Sequence, residues 1–370
     1  MDLFDRNLGR RRFIKVSSMV LGAGMLTKPS SILFAADGSS RADRSAKSDG
    51  TKYGKYIESG YKDENQDPER GIFIAQTDKN VIPGCPLGRF VRMPGPGPMP
   101  GHGSHERHEV PEYLIHLGND PDDPMDLGAE AEFYLGRGKW REKYVFTKST
   151  AIYLPTGFWH CPWNIKKIWK PMTFVNVMVG ETDLTLSGGP APGEGGQAGP
   201  PPGEGGRESQ GGPPGMMMQE LSEEELARAK TSNYIFDKFM ISGVGRDMKD
   251  PKGGKWIAYT DCTKIAEAPL TRIIRYRPEE APYSIFDTQT HEYGTFLVLL
   301  GTDYDDPFDL GAEVELYIGP EKEKHTITQS SVAFMPADLV HGPMKVKKAQ
   351  RPFNFLEIVI GPELPGAVYG

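Results

Sequence analysis

Apolar and polar positions alternate with a period of two over many short runs of this chain, and runs at helical period are nearly absent. Ala129–Leu135 alternates small or apolar residues with Glu130 and Glu132, and Ala312–Ile318 alternates likewise. Such alternation places one face of a strand in a core and the other toward water. Gly71–Ala75, Glu112–Leu117, Ala151–Leu154 and Thr173–Val179 are further strand candidates, each bounded by Gly, Pro or Asp. One helix is expected, over Leu221–Lys230, where Ser222 and Glu225 have capping-box spacing. Many short strands between turn residues predict an all-β barrel or sandwich.

The whole pattern occurs twice. Leu117–Gly136 and Leu300–Gly319 are identical at 14 of 20 positions, at an offset of 183 that holds back to Tyr53–Gly60 and Phe236–Gly243. Beyond Gly136 the offset is 181, which pairs Pro155 with Pro336, His160 with His341 and Gly180 with Gly361. A period this long exceeds that of solenoid repeats and fits a duplicated domain. The expected organisation is a barrel over residues 53–183 and a second over 232–370. Between them, residues 184–231 form a linker rich in Gly and Pro, the helix near its end.

The amino terminus reads as an address. Arg10, Arg11, Arg12, Phe13, Ile14 and Lys15 match a twin-arginine export pattern, the apolar stretch Val16–Leu26 is too short to span a bilayer, and Ala35 and Ala36 offer a cleavage site. Residues 1–36 are therefore expected to be a leader read by the twin-arginine machinery, and residues 37–52 a disordered tether. The expected product is a folded periplasmic protein with no stable membrane span. The net charge of −7 and the absence of a basic stripe argue against a nucleic-acid partner. Three cysteines, Cys85, Cys161 and Cys262, make no disulfide framework.

Candidate chemistry gathers in the first repeat. His105, Glu106, His108 and Glu112 lie close together, and Pro155, Gly157, His160 and Asn164 follow about fifty residues later. The second group matches the pattern PxGxxHxxxN in full. The first matches HxH followed by Glu at His108 and Glu112, with Glu106 where the leading His usually stands. In these two motifs the chain resembles the cupin superfamily, and in its duplication a bicupin. The resemblance implies two tandem jelly-roll β-barrels and a metal in the first. Bicupins include oxalate-degrading enzymes and ring-cleaving dioxygenases.

Imidazoles and carboxylates converging from different strands suit one divalent transition metal such as Fe, Mn or Zn. Strand parity places Glu106 and His108 on one face, leaves His105 dependent on a bulge, and turns Cys161 away, since His160 shares its face with Phe158 and Pro162. The expected ligands are His108, Glu112 and His160, with Glu106 or His105 as the fourth and Glu112 the candidate for proton handling. The second repeat keeps His291 and His341 but has Gln289 for Glu106 and Thr295 for Glu112. It reads as a weak site unless Asp287, Glu292 or His325 supplies a carboxylate or imidazole. The function expected is a mononuclear metalloenzyme acting on a small oxygenated molecule, of dioxygenase or decarboxylase type. A non-catalytic periplasmic metal- or ligand-binding protein is the alternative, with a homo-oligomer left open in either case.

Overall fold

The structure is a computed structural model that describes residues 50–61, 71–98, 105–180, 185–187, 234, 236–243 and 248–361. The leader, most of the tether, most of the linker and the helix expected over Leu221–Lys230 lie outside the described residues. Those described all fall in one unit, Gly38–Gly370.

The fold is all-β: two tandem barrels of jelly-roll type, each closed from a large and a small antiparallel sheet. The expected strands are present, and those on either side of the repeat carry the same offsets. Asp126–Leu135 answers to Asp309–Ile318, Glu112–Gly118 to Thr295–Gly301, and Met172–Met178 to Phe353–Val359. In the first repeat the large sheet orders Met240–Ile241, Thr150–Leu154, Glu112–Gly118, Met172–Met178, Gly88–Met93 and Ile72–Thr77. Its small sheet runs Thr185–Ser187, Glu106–His108, His160–Ile168, Asp126–Leu135 and Glu142–Lys148. Thr185–Ser187 thus continues the first repeat's sheet a few residues past the expected boundary at 183.

The repeats exchange their first strands. Ile57–Ser59 pairs with Ser331–Ala333 of the second repeat, while Met240–Ile241 pairs with Ala151–Ile152 of the first. Each barrel is therefore completed by the other's leading segment. The two large sheets also share a core. Glu112–Gly118, Met172–Met178, Thr295–Gly301 and Phe353–Val359 are buried at every position. One face of each fills its own barrel and the other packs on the opposing sheet, so apolar residues occupy both faces and the polar ones, such as Glu112, Asn176 and Glu357, are buried among them. Apolar residues of both repeats, among them Ile115, Val175, Phe296 and Leu356, belong to one buried cluster.

Two buried arginines clasp this interface with the symmetry of the duplication. Arg92 donates to the carbonyls of Gly301 and Asp303, and Arg275 to those of Gly118 and Asp120, at 2.5–2.9 Å. Their Nε groups bond within their own repeats, to Thr173 and Asn354. Burial lowers both guanidinium groups to about 10, which leaves them charged at neutral pH. Gly118 and Gly301 are required there for a separate reason. A Cβ on either would sit under 2 Å from the carbonyl of Asp126 or Asp309.

The acidic loops after these glycines are strand connections. Oδ1 of Asp120, Asp123 and Asp126 accepts from the backbone N–H groups of Asp122, Met125 and Gly128, and Asp303, Asp306 and Asp309 repeat the arrangement. Lys170 and Arg351 neutralise further oxygens. Their composition suggests calcium, but carboxylates engaged this way are turn caps.

Candidate metal centre

Strands of both sheets bring polar side chains to one point inside the first barrel. Glu106 and His108 share the inward face of Glu106–His108, and Arg107 between them points outward over Trp159, 5.1 Å from its ring centroid. Glu112 begins the next strand. His160 is delivered by the turn Pro155–Gly157, where Gly157 has φ +74° and donates its N–H to the carbonyl of His108 at 2.8 Å. The Phe158 carbonyl lies 3.0 Å from Nδ1 of His160. A carbonyl only accepts, so the proton is on Nδ1 and Nε2 is left to face the cluster.

Nε2 of His108 lies 3.4 Å from Oε2 of Glu112, and Nε2 of His160 lies 3.2 Å from that oxygen and 3.6 Å from Oε1 of Glu106. All four residues are at most 5% exposed. Among the described residues, neither Nε2 nor Oε2 of Glu112 has a hydrogen-bond partner. Donor atoms of His108, Glu112 and His160 within 4.8 Å of one another, buried and without hydrogen bonds, fit a transition metal in size and chemistry. Asn176 donates to the other oxygen of Glu112 and orients it. The structure thus brings together His108, Glu112, His160 and Glu106. His105 belongs to neither donor group found among the described residues, and its ring lies 6.2 Å from that of Trp159.

The electrostatics of the cluster call for a cation. Burial disfavours a charged imidazole, yet Glu106 and Glu112 together raise His160 to about 10. Burial would likewise raise Glu112, but His108 and His160 outweigh it and hold the carboxyl far below its usual range. The two buried carboxylates favour a positive charge on the imidazole between them. A divalent ion satisfies the same demand more fully.

Cys161 corrects the parity argument. It is turned into the site, with Sγ donating to Oε1 of Glu106 at 3.1 Å. The pairing of its strand with Asp126–Leu135 slips between His160 and Trp163, and Cys161 has φ +68°, so alternation fails at this point. A left-handed backbone costs a residue with a Cβ about 1–2 kcal/mol. The equivalent position in the second repeat is Gly342, with φ +92°.

The aromatic residues flanking His160 serve packing. Trp163 stacks on Phe174, Phe158 packs against Phe236 and Phe239, and Trp159 is covered by Arg107 and Arg137. The ring of His116 lies among those of Phe146, Trp163 and Phe174.

The second barrel carries different chemistry at the same place. Asp287 and Glu292 are exposed, and His325 pairs with Glu323. The carboxylate comes instead from Glu357, fully buried and 3.4 Å from Nε2 of His291. Glu357 occupies the position of Asn176, while Thr295 occupies that of Glu112, so acid and neutral residue have changed strands. Gln289 donates to Glu357 at 3.0 Å and lies 3.3 Å from Nε2 of His341. Arg272 pairs with the other oxygen of Glu357. Here a guanidinium supplies the positive charge beside the buried carboxylate.

His341 is pushed down to about 4 from 6.5, first by burial and then by His291. Glu357 lies at about 2, because Arg272 and His291 outweigh the effect of burial. Both groups bind fewer protons in the folded than in the unfolded chain. Their contribution to stability is complete above about 6.5 and declines as pH falls through about 4 for His341 and about 2 for Glu357. His341→Asn is expected to flatten the pH dependence of stability between those first two values, an effect on the order of 3 kcal/mol. Urea titrations at several pH values measure it, and an unchanged slope would assign the dependence to another group.

No protein-family model matches the chain, and no curated protein matches it. Solved structures of oxalate decarboxylase from Bacillus subtilis match at a distance. A deletion variant gives a TM-score of 0.46 at 11% identity, covering 83% of this chain and 77% of that one. A structure concerned with that enzyme's Mn(II) centres gives 0.44 at 11% identity, covering 80% and 74%. Likeness this distant bears on neither the metal nor the reaction of the present chain.

Proposed function

We propose that the first barrel holds one divalent transition metal, Fe, Mn or Zn, on His108, Glu112 and His160 with Glu106 beside them, and that this centre acts on a small oxygenated organic molecule. The observation that supports it is the buried convergence of two imidazoles and two carboxylates on one point. An ion bound there supplies Lewis acidity toward a substrate oxygen and, if redox-active, access to oxygen chemistry of the dioxygenase or decarboxylase type. The chain's own residues do the rest. Asn176 holds one oxygen of Glu112 so that Oε2 faces the histidines. Whichever carboxylate is not engaged carries the proton, and Oε1 of Glu106, 3.6 Å from Nε2 of His160, is placed for that role. The nearly complete burial of the cluster excludes water and restricts the substrate to a small molecule.

A protein purified from its own cells is expected to contain about one such metal per chain, and chelation is expected to remove it without unfolding the barrels. Elemental analysis decides this, and metal below about one tenth per chain would sink the reading. Turnover of small carboxylates or catechols by the loaded protein separates an enzyme from a periplasmic metal- or ligand-binding protein. Export by the twin-arginine machinery belongs to the same proposal and rests on Arg10 and Arg11. Arg10→Lys combined with Arg11→Lys is expected to keep the protein in the cytoplasm, and normal fractionation of that variant would refute it.

A further inference from the structure

We propose that Cys161 is itself a metal ligand. The first barrel would then offer two overlapping positions that share Nε2 of His160: a harder one with His108 and Glu112, and a softer one with Glu106 and Cys161. The inference rests on the metal reading above and deepens it. Donor atoms of Glu106, His160 and Cys161 lie within 4.8 Å of one another, as do those of His108, Glu112 and His160. A single nitrogen lone pair serves one ion at a time, so the two triads are alternatives.

Independent observations point to the thiol. Nε2 of His160, 1% exposed, faces both triads without a hydrogen bond among the described residues. The backbone at Cys161 also favours glycine, with φ +68°, and the second repeat, whose cluster carries Arg272 in place of a metal's charge, has Gly342 there. In that repeat a Cβ would lie 2.3 Å from the carbonyl of Asp287. The first repeat instead makes room for a side chain and directs its sulfur to within 3.1 Å of a carboxylate oxygen. Thiolate sulfur is the soft donor of the group and favours Zn(II) or Co(II), whereas the imidazole–carboxylate triad accepts Mn(II). On binding at the softer position the thiol proton leaves to solvent and a metal–sulfur bond replaces the S–H bond.

Co(II) reports sulfur ligation directly, because a thiolate ligand adds an intense near-ultraviolet charge-transfer band. The full-length metal-free protein titrated with Co(II) is expected to show that band, and Cys85→Ser combined with Cys262→Ser is expected to retain it. Cys161→Gly, which the glycine of the sister repeat marks as compatible with the backbone, is expected to bind Co(II) without the band. Its Co(II) affinity should fall at least about tenfold, while Mn(II) affinity should change less than about twofold. Wild-type protein that binds Co(II) without the band overturns the proposal and leaves the metal reading standing. Protein that binds neither Co(II) nor Mn(II) overturns both.

Discussion

His160→Ala is expected to abolish metal retention, and His341→Ala to leave it almost whole. His160 is common to both buried donor groups found among the described residues, its Nε2 lying 3.2 Å from Glu112 and 3.6 Å from Glu106. Its removal leaves at most one imidazole at any position, and water replaces the lost bond poorly. A loss well beyond the 10–100-fold effect typical of altering a ligand's neighbours is expected. His341 sits in a cluster whose carboxylate, Glu357, already has Arg272 as its counter-charge. Elemental analysis of both variants beside the parent protein settles the comparison. Equal losses would show that both barrels hold metal, and full metal in His160→Ala would show that the site is elsewhere.

The largest effect on stability is expected from the clasp between the barrels. Arg275→Met should destabilise the protein by roughly 3–5 kcal/mol, because it strands two buried carbonyls and the side chain of Asn354. Methionine keeps much of the volume, so the loss measures hydrogen bonding more than packing. Arg275→Lys should rescue little, since one ammonium cannot reproduce the three contacts of the guanidinium. Arg92→Met should behave alike, as its contacts mirror these. Urea denaturation gives the values, and a change under about 1 kcal/mol for Arg275→Met would mean that water replaces the lost donors.

The clasp also separates what was legible in advance from what was not. The mirrored arginines are visible in the sequence, and their duplication suggests a role in the fold or an interface. Their partners, main-chain carbonyls of the opposite repeat more than 150 residues away, leave no trace in residue type. Cys161 shows the same limit at the candidate metal centre. Alternation assigns it to the wrong face because a single left-handed residue and a slipped register reverse the parity, and both depend on the surrounding sheet. Glu357 had a visible signal, a lone acid within the apolar run Phe353–Val359. What hid its role was that the duplication aligns it with Asn176 rather than with another acid.

By itself, the sequence determined the strands, the duplication, the barrel class and which histidines and carboxylates are candidates for a metal, because these follow from local periodicity and from the chemistry of donor groups. Tertiary structure alone decided that the repeats exchange their leading strands and stack their large sheets. It also decided that Cys161 turns inward and that Arg272 supplies the second barrel with a cation. Each of these depends on which distant strands lie side by side. Pairings across long loops are selected by burial of the whole apolar surface and leave little local mark.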